Sequence, residues 1–373
     1  MDLTGRIIRV GTSKGCGGSE MHGGDIYRNQ VQMDFSVNVN PLGMPESVRE
    51  ALLKGIALAS TYPDPQCEKL RGKLAEHFGI DKEVILCGNG ASELLMAICN
   101  ARRPGSALLL APGFSGYQKA LEAVGCTADF FFLREEETFG MGRMRFGSFL
   151  REIRIGKPEI LFMANPSNPV GTLWDADQMA ELAKCCEEYG TLLVLDECFM
   201  ELTSHAGTHS MVDRLAQFPN LLILRAFTKS FAIPGIRLGY LLCPDKKIAA
   251  KIAGFLPEWN VSVPAQMAGI AALEEKEYLL KAGDMIRKQR SLLTAELEKL
   301  GARVYPSEAN FLLFRWETCG PEKTRLQKIL LEDGILIRDC SDYPGLDKGY
   351  YRVAVKTPEE NRRLIASLRK VCR

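Results

Sequence analysis

Between Val84 and Tyr240 short apolar runs alternate with longer stretches whose apolar positions recur at helical spacing, which predicts β-α-β units around a buried, mostly parallel sheet. The runs expected as its seven strands are Val84 to Cys87, Ala107 to Leu110, Ala128 to Phe132, Ile160 to Ala164, Leu192 to Leu195, Leu221 to Leu224 and Leu238 to Leu242. After Pro244 the pattern changes. A charged amphipathic helix from Lys276 to Leu300 leads into apolar runs at Arg303 to Tyr305, Asn310 to Phe314, Leu336 to Arg338 and Tyr351 to Val355, which predicts a smaller α+β domain. The first 45 residues are Gly-rich and carry a turn signal at Asn38, Asn40 and Pro41, so they read as an arm. The expected division is an arm over 1–45, a large α/β domain over 46–250 and a small domain over 251–373.

Composition narrows the partners. Lys plus Arg number 47 against 46 Asp plus Glu, so there is no overall positive field to gather nucleic acid or an anionic membrane, and any bound anion must be gripped locally. The twelve cysteines are scattered and form no C-x-x-C pair, which favours buried free thiols in a reducing compartment over disulfides or a metal site. The opening residues lack a signal-peptide core, and no apolar run reaches the ~20 residues that span a bilayer. A cytoplasmic protein is expected.

The candidate chemistry sits where the apolar runs end, the edge of an open α/β sheet at which ligands collect. Gly88-Asn-Gly90-Ala91-Ser92-Glu93 follows one run and opens a helix, so its first free amides could face a phosphate, although the same string also serves as an ordinary cap. It lacks the third glycine of a dinucleotide-binding loop, which argues against a nicotinamide oxidoreductase. Asn165-Pro-Ser-Asn168-Pro forces irregular backbone after the next motif-bearing run and offers the Asn168 amide. Asp196 and Glu197 close another run as paired carboxylates. Lys229 and Arg237 follow the next, eight apart, and a Lys beside other cations on a cleft wall loses proton affinity, as an amine nucleophile requires.

In order and spacing these motifs resemble the fold-type-I pyridoxal-phosphate enzymes, the aspartate aminotransferase superfamily, over nearly the whole chain. The resemblance implies that Lys229 carries pyridoxal 5'-phosphate as a Schiff base, that Asp196 pairs with the pyridine nitrogen and that Asn168 bonds the phenolic oxygen. It also implies that Gly90, Ala91, Ser92, Thr228 and Arg237 hold the cofactor phosphate, while Phe114 stacks on the ring and Phe199 lines the pocket. The segment Thr61-Tyr62-Pro-Asp-Pro65 resembles the stretch with which related enzymes reach the neighbouring subunit's site, which implies a homodimer with Tyr62 at the partner's cofactor. A pyridoxal-phosphate binder without catalysis would not need Asp196 and a carboxylate clamp together.

Within the superfamily the chain resembles two groups, the L-threonine-O-3-phosphate decarboxylases of cobalamin synthesis and the histidinol-phosphate aminotransferases. The opening His22-Gly-Gly-Asp-Ile-Tyr27, the segment Asp34 to Gly43, the ending Gly334 to Cys340 and Phe199 in place of Tyr are similar to the decarboxylases. That resemblance implies a phosphorylated amino-acid substrate. The expected contacts are His22, Gly23, Gly24, Asn38 and Arg338 for its phosphate, and Arg352 for its carboxylate by a bidentate pair. Decarboxylation or transamination follows according to which bond on the amine-bearing carbon stands perpendicular to the cofactor ring.

Overall fold

A computed structural model describes residues 23–316 and 326–371. Thirteen strands are described in chain order: β1 (Met33–Asp34), β2 (Ile85–Gly88), β3 (Ala107–Ala111), β4 (Ala128–Phe132), β5 (Ile160–Ala164), β6 (Leu192–Asp196), β7 (Leu221–Ala226), β8 (Gly239–Leu242), β9 (Arg303–Val304), β10 (Phe311–Arg315), β11 (Ile335–Leu336), β12 (Arg338–Asp339) and β13 (Tyr350–Ala354). All seven runs expected in the first domain form one sheet, in the order β2-β8-β7-β6-β5-β3-β4.

Period-two alternation sorts the side chains of this sheet onto two buried faces. Leu108 and Leu110 of β3 join the layer with Phe149, Leu182 and Leu195, whereas Ala107, Leu109 and Ala111 join the layer with Leu94, Ile98 and Val194. The sheet is parallel except at β8, which runs antiparallel to both β2 and β7. That reversal matters for the site. It brings the amino end of β8, rather than its carboxyl end, to the edge where the neighbouring strands finish, so Arg237 arrives there just before Gly239.

In the smaller domain β12, β13, β10 and β9 form an antiparallel sheet, and β1 pairs in parallel with β11. Two features depart from the expected division. Met33 and Phe35 of the supposed arm are buried in the small-domain core with Phe314, Ile335 and Val353. Helix Val263–Ala272 packs on helices Glu46–Ile56 and Glu68–Phe78, and its Ala265, Ala268 and Ala272 belong to the large-domain core. Along this stretch the buried residues up to Leu273 pack with the large-domain sheet, and Ala282 and Ile286 of the helix Lys276–Lys299 pack with Phe314 and Val353. The cause is composition: 263–272 is apolar and Ala-rich, and so packs closely against another helix, whereas the charged turns begin at Glu274.

The nine cysteines among the described residues are free, and all but Cys198 are buried. Among the described residues no helix is long and apolar enough to cross a membrane, and no cluster of His, Cys, Asp or Glu is arranged to hold a metal.

Candidate active site

The strand ends and the small domain enclose a cleft of about 530 Å³. The wall residues come from the ends of several strands. Ala91 and Ser92 follow β2, Phe114 follows β3, Asn168 follows β5, Asp196 ends β6, Thr228 and Lys229 follow β7, and Arg237 precedes β8. Gly23, Ser36, Asn38, Arg338 and Arg352 line the opposite side. Phe199 is also on the wall, edge-on to Phe311 with ring centres 5.2 Å apart.

The helix Ala91–Arg102 starts after Gly90, which has φ 80° and supplies no capping side chain. Its first amides therefore keep their donors for the cleft. A Cβ on Gly90 would lie 2.5 Å from Arg237 Nη2, and one on Gly239 would lie 2.7 Å from the Ala91 nitrogen. Glycine at both positions is what lets a cation and a helix start share one anion-sized corner. Glu93, in the place of the third glycine, accepts from the Asn89 amide at 2.7 Å and from Asn260 Nδ2 at 2.7 Å. It braces the turn and leaves the anion corner to the amides.

Lys229 sits in the short helix Phe227–Ser230 with its amine 6.0 Å from the Phe199 ring centre. Burial first, and then the positive charge of Arg352, lowers its pKa to about 8. An appreciable fraction is thus a free amine near neutrality. Its backbone is pinned from the arm: Asn40 donates its amide to the Lys229 carbonyl at 2.9 Å, and its side chain to the Ser230 carbonyl at 2.8 Å.

The paired carboxylates separate. Asp196 faces the cleft, its Oδ1 accepting from the Cys198 amide at 2.9 Å and its Oδ2 from the Tyr117 hydroxyl at 2.7 Å. Glu197 turns beneath the sheet, where Arg225 Nη2 reaches it at 2.6 Å, Ser210 Oγ at 2.8 Å and the Met211 amide at 2.8 Å. Glu197 is thereby a structural anion. The two asparagines also divide. Asn165 is fully buried and closes its loop through two 3.0 Å bonds with Trp174, whereas the Asn168 oxygen accepts from Arg352 Nη1, which leaves the Asn168 amide to donate.

Arg352 and Arg338 lie opposite each other in the register of β12 and β13, and both are buried. Arg352 also donates to the Ser36 carbonyl at 2.9 Å, and Arg338 to Asp342 at 2.5 Å. Arg352 Nε and Asn38 Oδ1 find no partner among the described residues, although both are buried. A buried donor and a buried acceptor without partners, on side chains that line a cleft, fit a polar ligand.

Two expected residues stand apart. Tyr62 is 80% exposed, with its ring 4.7 Å from that of Trp259, and does not line this cleft. His22 lies outside the described residues. Tyr117 was missed by the sequence reading. Its signal was present, since it lies three residues after Phe114 and so one helical turn along.

A lowered-pKa lysine, an acid at a strand end opposite it and an uncapped helix start beside an arginine define a fold-type-I pyridoxal-phosphate enzyme. The chain belongs to the aminotransferase class I and II family, whose model matches residues 30–368. Its cofactor is pyridoxal 5'-phosphate, and the uncapped amides, Arg237, Asp196 and Lys229 fit its phosphate, ring nitrogen and aldehyde respectively. The chain is 35% identical over 340 residues to the threonine-phosphate decarboxylase of Salmonella typhimurium, covering 91% of each. Among solved structures, the histidinol-phosphate aminotransferase of Clostridium acetobutylicum matches with a TM-score of 0.83 at 31% identity, over 91% of this chain and 99% of that one. The L-threonine-O-3-phosphate decarboxylase of Porphyromonas gingivalis matches with 0.77 at 26% identity, over 90% and 98%.

Proposed function

We propose that the protein decarboxylates L-threonine O-3-phosphate to (R)-1-aminopropan-2-yl phosphate, the reaction that serves cobalamin synthesis. The observation that carries this reading is the Arg338 and Arg352 pair, two buried arginines matched in register on adjacent strands and lining the same cleft as Lys229. A single substrate bearing a carboxylate, a phosphate and an amine engages both cations and the amine-reactive lysine at once, whereas transamination would present them in turn, the phosphate of histidinol phosphate in one half-reaction and the carboxylates of 2-oxoglutarate in the other.

Bound pyridoxal 5'-phosphate supplies an electron sink for a bond broken at the amine-bearing carbon. The chain's own residues select that bond. Arg352 takes the carboxylate, while Arg338, Asn38 and the Gly23 amide take the substrate phosphate, and gripping both ends fixes rotation about the amine-bearing carbon; the Gly24 amide, expected to join them, instead donates to Ser36 Oγ at 2.7 Å. Lys229, whose proton affinity is reduced by burial and by Arg352, yields to the incoming amine and returns a proton to that carbon. Asp196 holds positive charge at the cofactor nitrogen, and Asn168 donates to the phenolic oxygen. Tyr62, exposed on its own subunit, completes the cofactor phosphate site of a second copy, which makes the working form a homodimer.

Transamination of histidinol phosphate is the second reading, favoured by the 0.83 TM-score to an aminotransferase. The two separate in one experiment. Purified holoenzyme is given L-threonine O-3-phosphate with carbon dioxide as readout, and histidinol phosphate with 2-oxoglutarate with glutamate as readout. Carbon dioxide from the first supports the proposal, and glutamate from the second alone removes it.

A further inference from the structure

The carboxylate of Asp196 is held from the protein side by two donors, and the stronger constraint comes from Tyr117. Its hydroxyl meets Oδ2 at 2.7 Å while the Cys198 amide meets Oδ1 at 2.9 Å, so each oxygen is committed to one direction. The phenol has little freedom of its own. It is 4% exposed, its ring lies parallel to Phe162 at 5.4 Å with an 8° tilt, and it meets Phe114 edge-on at 5.4 Å. Phe162 is on β5 and pairs in register with Val194, two residues before Asp196 on β6. Phenol and carboxylate are thus both registered to the same two strands, while Phe114, the ring expected against the cofactor face, leans on the phenol's edge. Burial, and then the neighbouring carboxylate, push the phenol pKa well up, so it stays a donor throughout the working range.

A plain core aromatic would serve the packing equally well as Phe. The hydroxyl adds a bond to the one acid that faces the cofactor nitrogen, and that bond draws charge away from the carboxylate.

We propose that Tyr117 is a positioning residue for the cofactor: its hydroxyl fixes Asp196 in the orientation that meets the cofactor nitrogen, and sets how much negative charge Asp196 presents there. This rests on Asp196 pairing with the cofactor, and not on which substrate is used. Phe at this position keeps both ring contacts and removes only the hydroxyl.

The test uses the holoenzyme, with Tyr117→Phe and, separately, site-specific 3-fluorotyrosine at 117, a more acidic and therefore stronger donor. The primary readout is the pH midpoint at which the bound cofactor's visible band titrates. Loss of the donor leaves more charge on Asp196, which stabilises a neighbouring positive charge, so the midpoint moves up by about half a pH unit in Tyr117→Phe. It moves down in the fluorinated protein. With whichever substrate proves to turn over, kcat falls roughly threefold to tenfold in Tyr117→Phe, the range for one net hydrogen bond, while KM changes little. The melting temperature stays near that of the parent. Should Tyr117→Phe fail to fold, the fluorinated protein decides alone. A midpoint unmoved in the substituted proteins overturns the proposal while leaving the cofactor reading intact, whereas a parent without any band removes both.

Discussion

Arg352 of the small domain donates through Nη1 to the side-chain oxygen of Asn168 in the large domain, so a cation and an amide expected to serve different ends of the site meet across the cleft. The bond is a direct link between β13 and the loop after β5. It also explains why Arg352 can be buried before any substrate arrives: Asn168 and the Ser36 carbonyl at 2.9 Å satisfy two of its nitrogens, and Nε remains for a ligand.

An incoming carboxylate needs the planar fork of that guanidinium. In Arg352→Lys a compact ammonium cannot span both carboxylate oxygens and Asn168 together. Steady-state kinetics should show kcat/KM for the carboxylate substrate lowered by about 10-fold to 100-fold, the factor for losing one charge-assisted hydrogen bond, with the cofactor band retained.

Lys229 predicts a pH profile for capture of the cofactor by apoenzyme. Its pKa is lowered from 10.5 to about 8, so the neutral, reactive fraction rises with pH through about 8 and levels off above it. Stopped-flow rates of band formation should follow that curve. Burial, the leading cause, stays in Arg352→Met, but the second cause is removed, so the midpoint should move upward in that variant. The same shift makes the folded apoenzyme bind fewer protons than the unfolded chain between about 8 and 10.5, so this group's contribution to stability should increase with pH across that window.

Beneath the sheet, Glu197 and Arg225 are both buried and are joined at 2.6 Å. Removing one partner leaves a buried charge uncompensated. Arg225→Met should cost about 3 to 5 kcal/mol in denaturant unfolding. Pairing it with Glu197→Gln should recover part of that loss, because the leftover charge is then also gone.

Tyr62 predicts shared sites between subunits. Tyr62→Ala and Lys229→Ala proteins should each be nearly inactive alone, yet regain activity when refolded together. In the mixed dimer one site has Lys229 from one chain and Tyr62 from the other. No recovery in a verified mixed dimer would place Tyr62 outside the site.

Much of this was legible in the chain. The seven strand runs and the motifs at their ends follow from period-two burial and from the rule that ligands gather at strand ends, and they bring Ala91, Asn168, Asp196, Lys229 and Arg237 to one cleft. Other features were not legible, because they depend on contacts between residues distant in sequence. Nothing local in Asp-Glu tells which carboxylate meets the cleft and which meets Arg225, 28 residues later. The stretch Arg134 to Arg145 is charged and interrupted by Gly140 and Gly142, the composition of a surface loop, yet Glu135 accepts from Tyr305 at 2.5 Å, from Arg303 at 3.0 Å and from Arg315 at 3.1 Å, tying the large domain to the sheet that carries Arg352. Tyr117 was visible as an aromatic, but its hydroxyl acquires meaning only once Asp196, 79 residues away, is placed beside it. The packing of the Ala-rich helix Val263–Ala272 was not legible for the same reason, since it finds its partner near the start of the chain.

One amine, that of Lys229, is expected to hold the cofactor. Borohydride reduction of the holoenzyme, followed by peptide mass spectrometry, measures this directly. A single pyridoxyl group should appear on the peptide containing Lys229, and none in Lys229→Ala. A label on another lysine, or a visible band that survives in Lys229→Ala, would contradict it.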